Sequence, residues 1–167
     1  MKRLAILSLL TALGSSGCTT VYLALYPPPA MPLCEQVIPP SSALGGDFVR
    51  RVRVHVEGDH VSEGFEVIAQ HRRGRLTLIG LTRYGAKAFT IVQRGEEIQI
   101  VSFLGPIESV PPANILADLY RWPFGVATGP PSAFEVDVRD DGRAAIITHH
   151  LCDYRATIVD VTDDAGS

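Results

Sequence analysis

The sequence predicts a mainly β domain with a short helix, in the form of a curved antiparallel sheet. Three observations carry this expectation. Short runs of alternating or apolar residues recur from Gly46 onward, each closed by a turn pair, at a spacing of about 10 residues per strand. One stretch, after Pro111-Pro112, changes from a period of two to the period of a helix. The resulting order is five strands, one helix and three strands, which suits a sheet with the helix laid against its concave face.

Val52, Val54 and Val56 alternate with Arg51, Arg53 and His55, which gives a strand with one polar face. Gly58-Asp59 makes a turn, and Phe65, Val67 and Ala69 continue the alternation. Runs at 75–81, 87–92 and 97–103 follow, joined at Arg73-Gly74, Tyr84-Gly85 and Arg94-Gly95. Ile115, Leu119 and Trp122 then fall at i, i+4 and i+7, one apolar stripe of a helix that Pro112 can open and Pro123 must end. The last three strands are expected at 134–139, 143–149 and 154–161, with Asp141-Gly142 turning the first hairpin. In 76–81 and 88–92 both faces are largely apolar. Either a lipid or partner covers the second face, or helix and loops bury these strands on both sides.

The N-terminus reads as an export signal. Lys2 and Arg3 precede an apolar stretch at 4–13, small residues run from Gly14 to Gly17, and Cys18 follows. The apolar part is too short to span a bilayer, which takes about 20 residues. Ser15-Ser16-Gly17-Cys18 resembles the lipobox of bacterial lipoproteins, with Ser15 in place of the usual leucine. That resemblance implies a lipid on Cys18 and, because Thr19 is not acidic, an outer-membrane, periplasm-facing destination. The expected organisation is a signal at 1–17, a proline-rich tether at 18–45, one domain at 46–162 and an acidic tail at 163–167.

The chain carries a net charge of −3, and loss of Lys2 and Arg3 with the signal would make it −5. An acidic protein is a poor partner for nucleic acid, and any lipid it holds should be held by apolar contact. With Cys18 lipidated, Cys34 and Cys152 remain, either as a disulfide or as two independent buried thiols.

Chemistry is sparse. His149-His150 with Cys152 and Asp153 is the richest cluster, but adjacent strand residues point to opposite faces, so no metal site is expected. His55, His60 and His71 read as solvated, and Asp118, one position before Leu119, reads as outward-facing. No nucleophile motif or phosphate-cradling glycine loop is present, so neither catalysis nor a cofactor is expected.

Two segments are distinctive. Leu81-Thr82-Arg83-Tyr84-Gly85-Ala86-Lys87-Ala88-Phe89-Thr90-Ile91 is similar to the L-T-P-x-G-x-R-x-F-T-L segment of the bacterial lipoproteins grouped as domain of unknown function 3261. Leu116-Ala117-Asp118-Leu119 with Trp122-Pro123 resembles that family's L-A-D-L-Q-L-x-x-W-P. Arg83 replaces the family's proline, and the step from Leu119 to Trp122 is shorter. The resemblance implies a fold like that of LolA and LolB, a half-open barrel with a helical lid over an apolar hollow for acyl chains.

The stripe of Ile115, Leu119 and Trp122 is the candidate lid, facing Leu76, Leu78, Phe89 and Ile91 across the hollow. The alternative is that these residues interlock as a solid core. The expected function is an outer-membrane lipoprotein that shelters an acylated or lipid-like cargo, an acyl chain or a lipoprotein, without catalysis. The competing expectation is a structural subunit that docks a protein partner in an envelope assembly.

Overall fold

The computed structural model describes residues 31, 33–34, 37–102 and 109–162. Alternating valines set the first strand, β1 (Phe48–Gly58), and the same alternation continues through β2 (Val61–Arg72), β3 (Arg75–Thr82), β4 (Lys87–Arg94) and β5 (Glu97–Ser102). Helix α1 (Pro112–Arg121) follows, then β6 (Phe134–Arg139), β7 (Ala144–His149) and β8 (Tyr154–Asp160). All eight strands form one antiparallel sheet in the order β5-β4-β3-β2-β1-β8-β7-β6, with β5 and β6 as its edges, so it does not close. The joint between the meander and the C-terminal strands is β1 against β8, where Val54 lies opposite Ile158.

The inner face of this sheet and α1 share one core. Val52, Val67, Leu78, Phe89, Ile91, Ile147 and Ile158 are buried there with Ile115, Leu116, Leu119 and Tyr120 of the helix. Gly80 lies opposite Phe89 at an irregularity in the β3–β4 register, and its bare backbone leaves the space that the ring occupies. Pro112 is in the first helical turn, where its missing N–H costs nothing. The helix ends at Arg121, and Trp122, expected on the helical stripe, has extended backbone instead. Pro123 disfavours the helical region for the residue before it, which explains the difference.

The N-terminal segment packs back onto the domain. Met31, Cys34 and Leu44 are buried in the core cluster, and Cys34 is joined to Cys152 by a disulfide. The Ser41 hydroxyl donates to the Gly74 carbonyl at 2.6 Å and accepts from the Gly95 N–H at 2.8 Å, stitching two hairpin turns together. The segment expected to be an export signal, Cys18, most of the expected tether and residues 163–167 lie outside the described residues. No described helix is long and apolar enough to cross a membrane.

His71 corrects one expectation. It is buried, not solvated, with Nδ1 against the Gly46 carbonyl and its ring 5.5 Å from that of Phe48. The alternation that buries Phe65, Val67 and Ala69 carries on to His71 at the end of β2.

Candidate functional site

Asp118 is the second correction. It was expected on the outer side of α1, yet it is 1% exposed. Burial of a carboxylate is tolerable only when its oxygens are fully bonded and its charge is balanced. Arg121, one helical turn on, donates from Nη1 to Oδ1 at 2.7 Å, and His149 Nε2 reaches the same oxygen at 2.7 Å. The Tyr154 hydroxyl donates to Oδ2 at 2.9 Å. The His149 ring stacks on Tyr154 with centroids 4.0 Å apart, and the Arg121 guanidinium lies 4.1 Å from the centre of the Phe134 ring. This cluster fastens α1 to β6, β7 and β8. Its position on a helix buried from Asn114 to Tyr120 is what the short apolar stripe failed to signal.

His149 ends β7 and is buried, whereas His150 opens the following turn and is exposed. Among the described residues, no group of three or more His, Cys, Asp or Glu is placed to hold a metal ion. Beside the Asp118 cluster is a cavity of about 280 Å³ bordered by Arg121, Thr128, His149 and the disulfide.

The residues expected to line a hollow are buried or half-buried in one cluster with the helix. Leu76, Leu78, Phe89, Ile91, Ile115 and Leu119 are buried in the core cluster, and Trp122 is half-buried against it. At the far end of α1 the Tyr120 hydroxyl donates to Gln93 Oε1 at 2.7 Å. Burial pushes the Tyr120 pKa up to about 12.

The larger space is on the opposite face of the sheet. An open cavity of about 710 Å³ is lined by the side chains of Leu81 and Val159 together with Arg51, Arg53, His55 and Arg83. Strand register brings them together: Arg53 is opposite Val159 on one side and Glu66 on the other, and Glu66 is opposite Leu81. Gly64, opposite His55, contributes no side chain and keeps the groove open. Arg51 is held by two bonds to Glu66, at 2.7 and 2.9 Å, while Arg53 forms no ion pair with any described residue. The Arg83 guanidinium sits 4.6 Å from the centre of the Tyr84 ring. Arg53 and Arg83 escaped the sequence reading as site residues. Their signals were the polar half of the β1 alternation and a departure from a family motif.

These features define a mainly β protein of one open antiparallel sheet, closed on one face by a helix and grooved on the other. Residues 49–152 match the family model described as Protein of unknown function (DUF3261), and the chain belongs to that family. The match runs from β1 into the turn after β7. No curated protein matches the chain.

Proposed function

We propose that the protein is a lipid-anchored envelope lipoprotein, related in fold to LolA and LolB, that binds an acylated molecule and does not convert it. The anchor is Cys18, and the location is the periplasmic face of the outer membrane. The observation that carries this reading is the 710 Å³ groove, in which Leu81 and Val159 meet Arg53, Arg83 and His55. Its volume is in the range of small-ligand sites, about 300–1,000 Å³, and its mixed lining suits a chain that ends in a carboxylate. The side chains under α1 are buried in the core cluster, which supports a ligand on the open outer face. The buried acid–base pair, Asp118 and His149, is engaged in holding helix to sheet.

The test is displacement of a fluorescent fatty acid from the full chain in a neutral detergent. Leu81→Glu should abolish probe binding, whereas Leu119→Ala should lower stability and leave the affinity unchanged. Loss of binding in Leu119→Ala alone would move the ligand to the concave side, and no binding by the wild type would remove the proposal. Mass spectrometry of the mature N-terminus tests the anchor, which fails if residue 18 is unmodified.

A second reading, docking of a protein partner, is favoured by edge strand β5. Its Ile100 and Val101 are 40% and 42% exposed, and an unpaired strand edge is a template for an added strand. Stoichiometric capture of one envelope protein, lost in Val101→Lys, would support it.

A further inference from the structure

At the other end of the same outer face lies a second open cavity, of about 670 Å³, with four arginines in its lining: Arg72, Arg73, Arg75 and Arg94. Arg72 is opposite Arg75 in the β2–β3 register, and Arg75 is opposite Arg94 in the β3–β4 register. Residues directly opposite in a sheet share a face, so three arginines form one row across three strands. Neighbouring strands are about 4.8 Å apart, which sets the row's backbone span at about 10 Å. Like charges placed opposite one another oppose folding, and the cost is borne here in two consecutive strand pairs.

Elsewhere four of the described arginines are neutralised by an acid, while Arg53 and Arg83 of the first groove are not. Arg50, Arg51, Arg121 and Arg139 pair with Asp160, Glu66, Asp118 and Asp137. The guanidinium groups of the four groove arginines make no ion pair or hydrogen bond with any described residue. Three acids are near. Glu97 is opposite Arg94 across β4–β5, Glu96 precedes it in the turn, and Asp47 accepts a hydrogen bond from the backbone N–H of Arg73. None of the three lines the cavity, whose neutral walls are Gln70, Gly74 and Thr77. The concentration of positive charge is local, in a chain whose net charge is −3.

We propose that this groove is a binding site for phosphoryl groups. Each guanidinium presents a planar fork of donors that matches phosphate oxygens two at a time. A row of three, with a fourth on the adjoining turn, offers more donors than one carboxylate can accept but suits a phosphate monoester or diphosphate. Such an anion removes the repulsion within the row, so binding and stability rise together. The site is separate from the acyl groove, and either can exist without the other.

The full chain in neutral detergent is titrated by calorimetry with inorganic pyrophosphate and, in a second arm, with micelles doped with phosphatidic acid. Binding of pyrophosphate identifies a soluble phosphoryl ligand, and binding only to doped micelles identifies a lipid headgroup. Either should weaken by roughly 10- to 100-fold in Arg75→Gln with Arg94→Gln, the range expected for loss of charge-assisted hydrogen bonds. The Arg139→Gln variant, altered on an exposed strand at the far edge, should bind as the wild type does. All four arginines are exposed, so the variants should fold, and fatty-acid probe binding reports on the acyl groove independently. Absence of binding in both arms at millimolar probe overturns the proposal. So does an equal loss in Arg139→Gln, which would mark a diffuse charge effect.

Discussion

Asp118→Asn tests whether the buried cluster holds the helix to the sheet. The change keeps the side-chain shape and removes the charge. Arg121, whose side chain is 4% exposed, is left as a buried cation without its counter-charge. Breaking one partner of such a pair costs about 3–5 kcal/mol. An amide offers one oxygen where the carboxylate offers two, so three converging donors cannot all be satisfied. One donor left unpaired costs about 1–3 kcal/mol, and this overlaps with the charge effect and does not add to it. The expected loss is therefore about 3–5 kcal/mol. In urea, with a slope of roughly 2 kcal/mol/M, the midpoint should fall by about 2 M with the disulfide intact. The double variant Asp118→Asn, Arg121→Met should recover part of the loss, with a coupling of about 0.5–3 kcal/mol. A loss below about 1 kcal/mol would refute the reasoning, because it would put Asp118 in the range of exposed ion pairs. Strict additivity in the double variant would do the same.

Two further expectations concern the inner face. A methyl group at Gly80 would overlap the buried Phe89 ring, so Gly80→Ala should cost about 1–3 kcal/mol in thermal or urea unfolding, and adding Phe89→Leu should restore part of it. Tyr120→Phe strands the buried Gln93 oxygen and should cost about 1–3 kcal/mol at neutral pH. Because burial raises the Tyr120 pKa from 10.0 to about 12, the contribution of the protonated phenol is fully present below pH 10 and lost as pH climbs toward 12. Urea midpoints measured between these limits should fall more steeply in the wild type than in Tyr120→Phe, and parallel curves would exclude this role for the phenol.

The sequence alone determined the kinds and order of the elements. Valine alternation set β1, paired turn residues set the β2–β5 meander, and flanking prolines bounded α1, because each of these preferences is decided by residues within one strand or a few helical turns. Periodicity also selected Leu76, Leu78, Phe89, Ile91, Ile115 and Leu119 as inward-facing. Tertiary structure decided what periodicity cannot carry. The fate of Asp118 depended on His149 and Tyr154, supplied from strands 31 and 36 residues away, and no local pattern distinguishes a bonded buried carboxylate from a solvated one. His71 reads as a polar turn residue until the β2 alternation is extended to its end. The outer groove exists because β8 pairs with β1, bringing Val159 opposite Arg53 across 106 positions of sequence. The arginine row likewise becomes a row only once register sets Arg72, Arg75 and Arg94 opposite one another. Local sequence sets which face a side chain takes, but pairing and register set its neighbours on that face, and those depend on the whole folded chain.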